Sequence, residues 1–281
     1  MSRTTPTADS IEQRMSVFPS VLCGIDGSRA SVEAVRQAAE LAPAGRFRLL
    51  AVTWEQGVGA NAVAVLSRWR ADEALTRADR DLRALGIEPA IEVVEDPDAT
   101  ARLLRAAAEH DLLVVGAHAR SRAGGIMVGS TASAALHRAT RPVLVARPSP
   151  HGSHLLDRVL VAVDGSEGSF AATRIAAALA KRPGVSVSLL APVTGDATRR
   201  HVIAACAAEI RVATGVEPVI LDEAGRPHHA VVRAAREERA TLVVLGSRQL
   251  EGAAALRSVS ERVGHEAPCS VLVVRGPVVW P

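Results

Sequence analysis

Tyrosine is absent from this 281-residue chain, and all aromatic residues together make up 2%. Proteins that grip single-stranded nucleic acid stack its bases on aromatic rings, so this composition argues against that class. No GxxxxGK[ST] run occurs, which removes the lysine-bearing loop of the P-loop NTPases. Cysteine is confined to Cys23, Cys206 and Cys269, with no CxxC pair. An odd number without metal or disulfide spacing points to a reducing compartment. Cys23 and Cys269 lie in or beside apolar runs and read as buried thiols. No apolar run is long enough to span a membrane. Residues 1–17 are polar and lack the apolar stretch of a secretion signal. A cytoplasmic protein with neither a membrane nor a nucleic-acid partner is expected, its residues 1–18 forming a disordered arm. The net charge is +3 and the arginines are scattered, which describes a solvated surface rather than a polyanion-binding face. No Ser-His-Asp or Cys-His arrangement can be drawn from the sequence, so no catalytic residue is assigned.

What the chain does hold is the same phrase twice. VLCGIDGS runs over Val21–Ser28 and VLVAVDGS over Val159–Ser166. Their aspartates, Asp26 and Asp164, stand about half the chain apart. Later landmarks repeat as well. Pro97 and Pro227 stand equally far before the strand-ending glycines Gly116 and Gly246. Ser130 and Ser258 stand equally far before Val143 and Val271. Several matches with preserved gaps identify one fold unit written in tandem.

Each unit alternates apolar runs with Ala-, Arg- and Glu-rich helical stretches. The apolar runs are continuous rather than alternating, as in strands buried on both faces of a parallel sheet. Strands are expected near Val21–Asp26, Arg46–Trp54, Ala90–Val94, Leu112–Gly116 and Val143–Ala146. Helices are expected near Ala30–Leu41, Ala62–Leu85, Ala99–His110 and Ser130–Ala139. The second unit places strands near Val159–Asp164, Val185–Ala191, Glu217–Leu221, Leu242–Gly246 and Val271–Val274. Its helices fall near Gly168–Lys181, Asp196–Ala213, His229–Arg239 and Ser258–Glu266. Five strands and four crossover helices make a doubly wound α/β domain. The fold class is therefore α/β, two tandem doubly wound five-stranded parallel-sheet domains over 19–147 and 157–276. Pro148–Leu156 links them, and 277–281 is a tail.

In an open parallel sheet, ligands bind outside the carboxyl ends of the strands. Asp26 ends the first strand of the first half. Its two readings are a cap for the helix starting near Ser28 and a carboxylate for a ligand. Gly116 ends the fourth strand, where a missing Cβ lets a ligand approach the backbone. A loop with Gly124 and Gly125 leads to Gly129 and Ser130, whose amides open a helix and form an anion site. Ser130 either caps that helix or turns its hydroxyl to a phosphate. Carboxylate at one strand end and amides at the next outline a nucleotide cleft.

These residues resemble the universal stress proteins in their tandem two-domain form, over residues about 19–147 and 157–276. The family's nucleotide-binding version carries Gly-x2-Gly-x9-Gly-Ser/Thr after strand four and Asp after strand one. The first half reads Gly116-x2-Ala119-x9-Gly129-Ser130, followed by Thr131, with Asp26 in place. Ala119 stands where the family has glycine; if that position needs a positive φ, alanine costs roughly 1–2 kcal/mol. The resemblance implies the adenine-nucleotide α-hydrolase-like strand order 3-2-1-4-5, and adenine held by backbone groups of Val52 and Thr53. It implies an adenine nucleotide as ligand, open among ATP, AMP and cyclic AMP, with Mg2+ accompanying ATP. It implies a regulatory or protective role under stress, exerted through an unidentified protein partner. The two halves are expected to pair through their fifth strands as a pseudo-dimer, with a homodimer of the whole chain a further step. A non-binding scaffold and a weak nucleotide hydrolase are the rival readings.

The second half departs from the motif. Gln249 replaces the second glycine, the loop is two residues shorter, and Arg257 precedes Ser258. Arg257 is read as a surface residue, a plug or a charge for another anion. Domain 2 is expected to be a structural partner that does not bind nucleotide. His118 lies in the first loop and is read as facing solvent. Trp54, ending strand two, is read as core. His228 and His229 open a helix with no cysteine or carboxylate at ligand spacing, so no metal site is assigned.

Overall fold

A computed structural model of the chain describes residues 16–54, 61–117, 128–148, 153–192, 196–223, 225–247 and 258–275, with backbone alone at 61–67 and 196. The first half contains β1 (Ser20–Ile25), α1 (Arg29–Leu41), β2 (Arg46–Thr53), α2 (Asn61–Ala84), β3 (Ala90–Glu95), α3 (Ala99–Ala107), β4 (Leu112–Gly116), α4 (Ser130–Arg138) and β5 (Val143–Ala146). The second contains β6 (Arg158–Ala162), α5 (Glu167–Leu179), β7 (Ser186–Leu190), α6 (Asp196–Thr214), β8 (Val219–Leu221), α7 (Pro227–Glu237), β9 (Leu242–Gly246), α8 (Val259–Glu266) and β10 (Ser270–Val274). The order across the sheet is β3-β2-β1-β4-β5-β10-β9-β6-β7-β8. The first half has the expected 3-2-1-4-5 order and the second its mirror image along the sheet. Pairs within each half are parallel, whereas β5 and β10 are antiparallel, with Leu144 opposite Leu272.

Strand periodicity of two sorts side chains to opposite faces. Val21, Cys23 and Ile25 pack on one face with Val35, Ala38, Leu75 and Leu82 of α1 and α2. Leu22, Leu113 and Val115 pack on the other with Leu103, Ala106 and Leu136 of α3 and α4. Both apolar clusters continue into the second half. With two buried faces, no polar alternation appears in the central strands, and the sequence reads as unbroken apolar runs.

Several boundaries move. Residues 16–18, expected within a disordered arm, belong to the fold, since Phe18 is buried and the Ser16 hydroxyl donates to its carbonyl at 3.1 Å. Residues 1–15 lie outside the described residues. The linker is shorter. Leu155 and Leu156 are core residues, and the Leu155 N–H donates to the Glu40 carboxylate at 2.8 Å. The tail at 277–281 lies outside the described residues. Pro97 and Pro227 are not equivalent. Pro97 precedes the cap Asp98 of α3, whereas Pro227 is the first residue of the longer α7. Equal spacing to the glycines hid that two-residue difference in helix length, 9 against 11.

The seam between halves is built by near-symmetric contacts. Gly264 on α8 sits where a Cβ would come 2.5 Å from Leu136 on α4, so one helix supplies the knob and the other the hole. Arg147 is 1% exposed and its guanidinium donates to the carbonyls of Gly264 (2.5 Å), Cys269 (3.2 Å) and His265 (3.4 Å). Arg275 does the same for the end of α4, donating to Leu136 and Ala139. Burial lowers both guanidinium pKa values to about 10. Each arginine thus closes the carboxyl end of the other half's last helix, where a cation suits the helix dipole.

All three cysteines are buried and unpaired. Burial raises the Cys23 thiol above the range where thiolate forms in water, and the Cys269 thiol to about 12. Since thiolate is the reactive form, Ellman's reagent should titrate none in the native protein and three after denaturation. A fast-reacting native thiol would contradict this packing.

Candidate functional site

The candidate site lies where β1 and β4 end side by side, at the topological switch point. Parallel pairing sets Cys23 against Val114, so Asp26 and Gly116 emerge on the same edge. A cleft of about 510 Å3, counting its open mouth, lies between these strand ends and the heads of α3 and α4. Its walls are apolar at Ile25, Leu50, Val52, Leu103 and Val115, and polar at Asp26, Ser31 and Thr131.

Asp26 is exposed and does not cap α1. Its Oδ1 accepts the Ser28 N–H at 2.9 Å, across Gly27 with φ +80. The cap is Ser28, whose Oγ accepts the Ser31 N–H at 3.1 Å. The carboxylate is therefore held by its own turn at the mouth of the cleft. Gly116 lines the cleft, but the helix rather than a ligand imposes its lack of a side chain. A Cβ there would lie 2.6 Å from the backbone C and O of Ala30 on α1. The same close approach recurs between Gly246 and Gly168, so both halves keep the glycine whether or not they bind anything.

Val52 and Thr53 diverge. Val52 shares its face with Leu50 and lines the cleft. The Thr53 side chain, one residue on, falls by strand alternation on the opposite face. Its carbonyl accepts the Asp96 N–H at 3.0 Å. Among the described residues, nothing closes the head of α4. Gly129, not Ser130, occupies the cap position, and no side chain caps it. Ser130 is the first helical residue, and Thr131 reaches the cleft, its Oγ1 3.4 Å from Thr100 Oγ1. The first N–H groups of a helix have no partner within it, so this end offers donors and a positive dipole to an anion. Ala119, His118, Gly124 and Gly125 lie outside the described residues.

Sequence reasoning missed Gly24, Leu103 and Ala132. Gly24 was legible in principle, since it shares strand parity with Leu22 and faces α3 and α4. Leu103 and Ala132 line the cleft only because α3 and α4 cross it. Trp54 corrects another expectation. It lies just beyond β2 and is 49% exposed rather than core, because the strand ends at Thr53 and nothing described covers the indole.

The equivalent place in the second half is built differently. Gly24 pairs with Leu50, and Ala162 pairs with Leu190. The register therefore puts Ala162 where the first half has Gly24, and Pro192 where it has Val52. A methyl now occupies the floor, and just beyond β7, which ends at Leu190, a residue without an N–H stands where the first half has a strand residue that carries one. The Ser258 hydroxyl accepts the Glu261 N–H at 3.2 Å and caps α8 from within. Asp164 keeps the turn of Asp26, accepting the Ser166 N–H at 3.0 Å. Arg257 and Gln249 lie outside the described residues.

Comparison with known proteins matches the Universal stress protein family twice, over residues 18–147 and 156–275. A universal stress protein of Mycolicibacterium smegmatis (strain ATCC 700084 / mc(2)155) is 29% identical, over 91% of this chain and 96% of that one. The Thermus aquaticus universal stress protein in the QAH/OAS sulfhydrylase 3'region is 35% identical over 134 residues, 42% of this chain and 97% of the relative. The crystal structure of a universal stress protein from Archaeoglobus fulgidus DSM 4304 superposes with a TM-score of 0.74 at 23% identity, over 92% of this chain and 98% of that one. Tandem length and fold are thus both shared with known proteins.

Proposed function

We propose a function from the premise that the two family matches establish: this chain belongs to the universal stress protein family, with one family domain in each half. The first domain binds one adenine nucleotide, and the second completes the sheet without binding. Occupancy of the first cleft is the state that a stress-response partner reads. The supporting observation is the contrast between the halves. The first offers an open apolar cleft beside an uncapped helix N-terminus. The second has a filled floor, a proline and a self-capped helix. Base and sugar would lie against Val52, Leu103 and Asp26, and the phosphates at Gly129, Ser130 and Thr131. Mg2+ would accompany ATP.

Calorimetry with ATP should give about one site per chain. Two equal sites, or none, would remove this reading. Bound ATP should be recovered intact; steady phosphate release would replace the binding reading with a hydrolase. Ser130→Ala should weaken ATP by roughly ten- to a hundredfold, the value of a hydrogen bond to a charged group, and leave adenosine unchanged. Asp26→Ala should weaken both. Equal losses for ATP and adenosine at Ser130→Ala would move the phosphates elsewhere.

A further inference from the structure

His228 and His229 open α7, and along the chain nothing near them completes a ligand set. The fold brings Glu266, the last residue of α8, to their side. One ligand atom from each of the three lies within 4.8 Å of the others. The two imidazole centroids are 4.0 Å apart. His228 is 6% exposed, while His229 and Glu266 face solvent.

The buried ring already faces a cation. His228 Nε2 lies 3.4 Å from Arg262 Nη1. A guanidinium only donates, so Nε2 meets it with its lone pair. The corresponding second residue of α3 in the first half is Thr100, beside Thr131 at the nucleotide cleft. At the same place in its fold, the second half carries an imidazole.

We propose that His228, His229 and Glu266 form a site for one divalent transition-metal ion of the zinc class, tying the start of α7 to the end of α8. Two imidazoles and a carboxylate are a donor set that zinc takes with its fourth position open to water. Mg2+ and Ca2+ prefer oxygen shells and do not match it. Metal–nitrogen bonds of about 2.0–2.1 Å put tetrahedral ligand atoms roughly 3.3 Å apart. The cluster must therefore draw in by about 1.5 Å, which the exposed His229 and Glu266 side chains can do around the fixed His228. The ion displaces the Arg262 guanidinium, which is its competitor.

The whole chain, stripped by a chelator, should be titrated with Zn2+ against a chromogenic competitor, with Co2+ as a spectroscopic stand-in. One saturable ion per chain and an intense four-coordinate Co2+ spectrum are expected. His229→Ala and Glu266→Gln are surface changes that leave the fold intact, and each should weaken binding at least about tenfold, since lost outer partners alone cost 10–100-fold. Arg262→Gln should tighten it. Zn2+ should raise the melting temperature of the wild type and not that of the His229→Ala/Glu266→Gln pair. Absence of saturable binding, binding unchanged in both exposed variants, or a pale octahedral Co2+ spectrum would overturn the proposal. Nucleotide titrations should be unaffected by these variants, so this site and the cleft succeed or fail separately.

Discussion

Residues 1–150 expressed without the second half should self-associate or aggregate. Removing residues 151–281 strips β10 from β5 and leaves a fully apolar strand at the sheet edge, with its N–H and C=O groups unpaired. Such an edge is a template for another chain. Leu136 would lose the hollow at Gly264. The Arg147 guanidinium would lose its three carbonyl acceptors, all of which belong to the second half. Sedimentation should show dimers or larger species. A monomer that melts as cooperatively and at the same temperature as the whole chain would refute the account. Arg147→Met tests the same seam within the intact protein. It orphans the end of α8 but relieves a buried charge. The net loss should be about 2–4 kcal/mol, below the sum of three charge-assisted hydrogen bonds at roughly 1.5–3 kcal/mol each. Urea midpoints at an unchanged slope would measure it, and an unchanged midpoint would refute it.

Gly24→Leu should abolish nucleotide binding while the chain still folds. A Cβ at residue 24 points at Leu103, 2.9 Å from its Cδ2. That contact is with the end of a flexible side chain beside an open cleft, so the added leucine has room only in the cleft itself. The expected loss exceeds about a hundredfold, or roughly 2.7 kcal/mol, and is the same for adenosine and ATP because the base end is blocked. The reciprocal change Ala162→Gly should create no site in the second half, because Pro192 and the Ser258 cap remain. Retained ATP binding in Gly24→Leu would place the nucleotide elsewhere. Binding gained in Ala162→Gly would mean that the methyl alone closed the second cleft.

The repeat, the strands and the strand-end position of the cleft were legible because each depends on local pattern. Continuous Val and Leu runs record burial on two faces, and Asp-Gly-Ser records a turn into a helix at both Asp26 and Asp164. Where the reading failed, the deciding atom lay far away in sequence. Trp54 reads as core because it ends strand two, yet no described element covers it. The linker residues Leu155 and Leu156 looked peripheral until Glu40 and the apolar cluster shared by both halves reached them. Pro97 and Pro227 matched in spacing while belonging to helices of unequal length.

By itself the sequence determined a tandem α/β chain and pointed to a candidate cleft at the carboxyl ends of the first and fourth strands. Helix and strand periods, like the Asp-Gly-Ser turns, are properties of neighbouring residues. Only the tertiary structure decided what those ends can do. It assigned Gly116 to the close approach of α1, left the head of α4 uncapped, and capped α8 with Ser258. It buried Arg147 among the second half's carbonyls and set Glu266 beside two histidines. Each outcome depends on which backbone packs against which, at distances of a few ångströms between residues that are remote along the chain. No local period encodes that distance.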